Sequence, residues 1–146
     1  MEIREVMTLG VETVRPDAAA KQAAKKMKKM NVGCLPVCDG NRLEGLITDR
    51  DIAIRLVAEG HNPSTTKVRN IMTSGVIYCY DDQTVEEAVT TMQAHQIRRV
   101  PILNKQNELV GMLSLGDISV RTAGSEDQNL ADEGLRNISQ PSELSK

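Results

Sequence analysis

The sequence predicts a mixed α/β (α+β) fold: two β-α-β-β-α units packed about a pseudo-two-fold axis. Three observations carry that prediction. The chain repeats itself, residues 36–52 reading PVCDGNRLEGLITDRDI and residues 101–118 reading PILNKQNELVGMLSLGDI. Met7-Thr8 matches Met72-Thr73, Asp17 matches Asp82, Ala23 matches Ala88, Met27 matches Met92 and Pro36 matches Pro101, all 65 residues apart. One extra residue in the second copy lengthens the offset to 66, pairing Gly45 with Gly111, Thr48 with Ser114 and Asp51 with Asp117. Helix-period and strand-like segments also follow the same order in both copies. Finally, 146 residues at 40% apolar content suit one globular domain. A copy of about 50–60 residues is marginal alone, so the two are expected to share one core.

The elements follow in order. Ala20, Ala23, Ala24, Met27 and Met30 fall on one face of a helix over 17–30, and lysines at 21, 25, 26, 28 and 29 cover the rest. That lysine cluster is a solvated face or, alternatively, a surface for an anionic partner. Gly33 sits where a helix C-terminal cap is expected. Leu35–Val37 and Leu43–Ile47 read as strands around an Asp39-Gly40-Asn41 turn. Thr48 or Asp49 then caps a helix to about Glu59. The second copy repeats the order: a strand at Val76–Tyr78, a helix at Thr84–His95, strands at Val100–Leu103 and Leu109–Leu113 around an Asn104–Asn107 turn, and a helix from Leu115. The boundaries are 1–67 for the first repeat, 68–123 for the second and 124–146 for a polar, flexible tail. That tail holds at most a weak helix near 126–138, whose Leu130, Leu135 and Ile138 offer a docking face.

Composition narrows the function. Phe and Trp are absent and only Tyr78 and Tyr80 supply rings, so the core is aliphatic. A net charge of −2 argues against nucleic-acid binding. No apolar run approaches the roughly 20 residues of a membrane span, and the N-terminus lacks a signal-peptide apolar stretch. Cys34, Cys38 and Cys79 are odd in number, lack CxxC spacing and read as reduced thiols of a cytoplasmic protein. No nucleophile–base pair is apparent, so the chain is not expected to be an enzyme.

The motif that carries chemistry is Gly45-Leu-Ile-Thr48-Asp-Arg-Asp51 with its partner Gly111-Met-Leu-Ser114-Leu-Gly-Asp117. Both read G-h-h-[ST]-x-x-D at a strand-to-helix junction. A hydroxyl and a carboxylate three residues on share the first helical turn. A carboxylate can accept two hydrogen bonds from a vicinal diol such as ribose. The same pattern is also a capping box. Its recurrence at matching repeat positions favours two ligand-facing sites.

The paired pattern, each copy preceded by Met-Thr and an amphipathic helix, resembles a tandem cystathionine-β-synthase (CBS) domain pair, or Bateman module, over about residues 3–122. It is most similar to small stand-alone bacterial CBS-pair proteins. The resemblance implies a regulatory module, often a disc-shaped homodimer, that binds AMP, ADP, ATP or S-adenosylmethionine and needs no obligatory cofactor or metal. It also implies hybrid clefts. One pairs Thr48 and Asp51 with residues 97–101, including Arg98, Arg99 and Pro101. The other pairs Ser114 and Asp117 with residues 32–36, including Gly33, Cys34 and Pro36. Leu46 and Met112 are candidate walls for the base. Guanidinium groups suit phosphate, so a phosphorylated nucleotide is expected at the Thr48, Asp51, Arg98 and Arg99 site. A solvated or intersubunit role for Arg98-Arg99 is the alternative. Tyr78 is expected as a core or surface ring, His95 as a packed residue and Arg50 as a weaker phosphate contact. Output would pass through an unidentified protein partner or the dimer; a scaffold with empty clefts is the competing function.

Overall fold

In the computed structural model, which describes residues 1–122 and 128–139, both copies of the repeat fold alike. Each opens on a 3₁₀ turn, Ile3–Glu5 or Val68–Asn70. The first copy continues through α1 (Ala20–Met30), β1 (Cys34–Asp39), β2 (Arg42–Thr48) and α2 (Asp49–Asp51), which widens into a π-helical stretch, Ile52–Val57. The second runs through β3 (Cys79–Tyr80), α3 (Val85–His95), β4 (Arg99–Leu103), β5 (Leu109–Ser114) and α4 (Leu115–Arg121). A last helix, α5 (Gln128–Ser139), follows.

The ladders obey the repeat register. β1 and β2 pair antiparallel with Pro36 opposite Leu46, and β4 and β5 with Pro101 opposite Met112. A bulge falls at the same step in each, between Val37 and Cys38 and between Ile102 and Leu103. A parallel partner joins each hairpin: Val14 bridges Val37, and Cys79 pairs with Ile102. The strand expected at Val76–Tyr78 instead lies at Cys79–Tyr80, starting at the position the repeat assigns to Val14. The aliphatic run after Gly75 imitated a strand, but the pairing follows the 65-residue offset.

The chain divides into two compact units, Glu12–Val76 and Met1–Val11 with Ile77 onward. Each has its own aliphatic cluster, which corrects the expectation of one shared core. A reciprocal exchange solves the size problem. Ile3, Val6 and Met7, from the start of the first repeat, join the core of the second-repeat unit around Met92, Val100, Leu113 and Ile118. Val68 and Ile71, from the start of the second repeat, complete the first-repeat core around Ala23, Val37 and Ile47.

Further details refine or correct the expectation. α1 starts at Ala20, because Asp17 bonds Arg15 at 3.2 Å rather than capping the helix. Its end is set by Asn31 in the left-handed region (φ 55°), not by Gly33; Gln96 repeats this after α3. His95 is exposed on the last turn of α3. Residues 128–139, expected to hold at most a weak helix within a polar tail, form α5 and pack on α3 and α4 through buried Ala131 and Gly134 and through half-buried Leu130 and Ile138 of the expected docking face. Leu135, expected on the docking face, is exposed. The remaining tail residues, 123–127 and 140–146, lie outside the described residues.

Candidate functional site

Each hydroxyl–carboxylate pair sits where a strand hands over to a helix. The Asp51 amide donates to Thr48 Oγ1 at 3.0 Å, and the Thr48 amide donates to Asp51 Oδ2 at 3.0 Å. Ser114 and Asp117 repeat this at 2.9 and 3.0 Å. Both motifs are complete capping boxes, each closing two otherwise unpaired amides at about 1 kcal/mol.

The glycine that opens each motif is required by close approach of the Met-Thr segment. Leu46 and Thr73 exchange backbone hydrogen bonds at 3.0 and 2.8 Å, and Thr8 and Met112 do so at 2.8 and 3.1 Å. A Cβ at Gly45 would lie 2.6 Å from the Thr73 carbonyl oxygen, and one at Gly111 would lie 2.8 Å from that of Thr8. Arg55 and Arg121, 66 residues apart, each donate to the methionine carbonyl of that segment, at 2.9 Å for Met72 and 3.3 Å for Met7.

Beyond this frame the carboxylates differ. Asp51 is 7% exposed. The Thr73 hydroxyl donates to Asp51 Oδ1 at 3.2 Å and lies 3.3 Å from Oδ2, and Arg55 Nε stands 3.8 Å from Oδ1. Asp117 is half-buried, and among the described residues its only hydrogen-bond donor is the Ser114 amide. One carboxylate is engaged on both oxygens; the other keeps an oxygen open.

The flanking residues differ as well. In the first-repeat unit Cys34 pairs with Thr48 on the ladder, and the Asp49 amide donates to the Gly33 carbonyl at 2.9 Å. The Asp49 carboxylate lies over the open face of Gly33, where a Cβ would come within 2.9 Å of Oδ2. In the second-repeat unit Arg99 pairs with Ser114, and the Leu115 amide donates to the Arg98 carbonyl at 3.0 Å. Arg98, Arg99, Ser114 and Ser119 line an open cavity of about 380 Å³, walled on one side by Asp132 and Leu135 of α5. The ladders thus place each unit's own pre-proline residue beside its own hydroxyl. Thr48 and Asp51 belong to one unit, Arg98 and Arg99 to the other.

Several candidates take structural roles. Tyr78 is a surface ring standing edge-on to Tyr80 at 5.5 Å, and the Tyr80 hydroxyl donates to Asn107 Oδ1 at 3.0 Å. Arg50 is exposed. Burial pushes the Cys38 thiol up to about 11, with Glu44 adding to it, and burial also raises that of Cys79. Neither is a thiolate poised for nucleophilic work at neutral pH. Sequence reasoning missed Thr73, Arg55, Arg121 and the α5 wall. Thr73 and the arginine pair were available from the repeat offsets, whereas nothing in the repeat announces α5.

The comparisons agree with this architecture. A family model described as "CBS domain" matches residues 3–58 and 68–121. The chain is 39% identical over 137 residues to the CBS domain-containing protein YhcV of Bacillus subtilis (strain 168), covering 94% of each. Among solved structures it is similar to Hypoxic Response Protein I, described with two coordinated zinc ions: TM-score 0.75, 33% identity, covering 82% of this chain and 98% of that one. It is also similar to the CBS domain pair of protein MJ0100 in complex with 5′-methylthioadenosine and S-adenosyl-L-methionine: TM-score 0.72, 27% identity, covering 85% and 97%. Among the described residues no group of three or more His, Cys, Asp or Glu side chains could hold a metal ion. No described helix is long and apolar enough to cross a membrane.

Proposed function

Because the chain belongs to the CBS domain family, we propose that it is a regulatory module that binds an adenosine-containing ligand through its two [ST]-x-x-D junctions. It acts in the cytoplasm as a homodimer without catalytic activity of its own and passes its signal to a protein partner or through the dimer. The observation that carries this reading is the open carboxylate of Asp117, one helical turn from Ser114 and on the same unit as Arg98 and Arg99. A diol can be held by the free oxygen while the other keeps the capping box closed. The adenosyl ligands of the MJ0100 pair support the ligand class.

Thr48 and Asp51 form the second junction. A ligand there must displace the Thr73 hydroxyl, which makes Asp117 the stronger ribose acceptor. Arg98 and Arg99 receive the anionic end of the ligand, and Leu46, Met112, Pro36, Pro101, Gly33 and Cys34 flank the junctions. The competing reading is an interaction scaffold, favoured by capping boxes that are complete without any ligand. Calorimetric titration with AMP, ATP and S-adenosylmethionine separates the two. Binding should weaken at least tenfold in Asp117→Ala and less in Asp51→Ala, since a hydrogen bond to a charged group is worth about 1.5–3 kcal/mol. An intact protein that binds none of the three is a scaffold.

A further inference from the structure

The second-repeat unit carries a wall that the first lacks. α5 rests on α3 and α4 so closely that a Cβ on Gly134 would lie 3.0 Å from a Val89 methyl and 3.1 Å from a Leu115 methyl. That contact brings Asp132 to the cavity that holds Arg99 and Ser114. Arg99 and Asp132 face the same space, and neither makes an ion pair with the other or with any described residue. A guanidinium and a carboxylate across an open cavity act on whatever enters between them: one attracts an anion, the other opposes it. In the first repeat the matching positions are Cys34 for Arg99 and Ala53 for Ser119, and the chain leaves Val57 as turns, not as a helix.

Resting on the reading of the chain as a nucleotide-binding module, we infer that Asp132 is a specificity-determining residue. It selects ligands by charge at the Arg98–Arg99 end of the site. A polyphosphate brings several negative charges toward the carboxylate and is disfavoured. A monophosphate meets less opposition, and the zwitterionic aminoacyl end of S-adenosylmethionine meets none, since its ammonium is attracted by Asp132 and its carboxylate by Arg99. α5 thus contributes selectivity to a site whose binding groups lie on β4, β5 and α4.

The test is calorimetry on the full chain with AMP, ATP and S-adenosylmethionine, comparing the wild type with Asp132→Asn and Gly134→Val. Asp132 is exposed, so the first variant removes the charge without disturbing the core. The second lifts α5 from Val89 and Leu115, which faster amide exchange in α5 would report. One charge about 8 Å away in water-like surroundings changes Kd about twofold per ligand charge. In Asp132→Asn, Kd should therefore fall about sixteenfold for ATP, with roughly four charges, and about fourfold for AMP, with roughly two, and stay level or rise for S-adenosylmethionine, with the differences shrinking in high salt. Gly134→Val should shift the ATP-to-AMP ratio the same way. A ratio unchanged in Asp132→Asn, with nucleotides still bound, overturns the inference and leaves the nucleotide-binding function standing. If neither wild type nor variants bind any of the three, that function fails and the inference falls with it.

Discussion

The two units share a frame and differ in what they leave open. Both close a capping box, place a glycine under a Met-Thr segment and hold that segment with an arginine from the following helix. Yet Asp51 is engaged by Thr73 beside Arg55, while Asp117 keeps an oxygen open. Asp49 lies over Gly33 in one unit, whereas Leu115 follows Ser114 beside the arginines in the other. α5 finds Val89, Gln93 and Leu115 under Gly134; the matching residues of the first repeat are Ala24, Lys28 and Asp49. An apolar helix face has little to gain from a lysine and a carboxylate, so α5 has one partner surface, not two. Duplication supplied the scaffold, and divergence at a handful of matched positions put a carboxylate, Asp49, beside the closed junction and two guanidinium groups, Arg98 and Arg99, beside the open one.

The largest expected effects probe what the units share. Ile47 and Leu113 occupy matched positions, each fully buried in its own cluster. Ile47→Ala and Leu113→Ala should each cost about 2–5 kcal/mol in denaturant unfolding. With separate cores, each variant should increase amide exchange chiefly in its own unit; an equal increase in both units from either variant would contradict the division. Next come the glycines. Gly45→Ala meets the Thr73 carbonyl oxygen at 2.6 Å and Gly111→Ala that of Thr8 at 2.8 Å. A backbone oxygen cannot rotate away, so about 1–3 kcal/mol is expected at each, larger at Gly45. A neutral substitution at either site would show that the Met-Thr segment can retreat.

The repeat made the frame legible from sequence. Matching residues at two fixed offsets placed both helix–hairpin–helix units, the extra residue at the 104–107 turn and both [ST]-x-x-D junctions. Periodicity alone failed where an aliphatic run imitates a strand, at Val76–Tyr78, and where a left-handed asparagine ends a helix before the expected glycine. The exchange of Ile3, Val6 and Met7 between repeats was hidden because a repeat shows which residues correspond, not which copy they pack against. α5 was legible only as a weak helix near 126–138, because half its contact surface is glycine and alanine. Small residues pack closely there, but they give little apolar signal in a polar sequence.

A smaller effect separates the two threonines of the Met-Thr segments. Thr73 donates to Asp51, whereas the side chain of Thr8 makes no hydrogen bond among the described residues. Thr73→Ala should cost about 1–2 kcal/mol, as expected for loss of a hydrogen bond to a charged acceptor, and Thr8→Ala less than about 0.5 kcal/mol. Thr73→Ala should also free Asp51 and so narrow the affinity difference between the two junctions. If Thr73→Ala leaves the Asp51→Ala and Asp117→Ala effects on ligand binding as unequal as before, the hydroxyl is not what closes the first-repeat junction.

The smallest contrast concerns alkaline pH. Each unit buries one thiol, Cys38 or Cys79. Burial holds Cys38 up to about 11 from the ordinary 9.0, with Glu44 adding to the rise. Cys79 is raised by burial too, but a hydrogen bond with Thr91 works the other way. A folded pKa above the unfolded one means that the folded state holds the proton more tightly. The contribution is therefore whole below about pH 9 and is lost as pH rises toward about 11. Val14 occupies the position matching Cys79, and Leu103 the one matching Cys38, so an aliphatic residue fits the fold at both places. Melting temperature should fall between pH 9 and 11 in the wild type, less steeply in Cys38→Val, with Cys79→Val between the two. Identical slopes in all three would remove the buried thiols from the account.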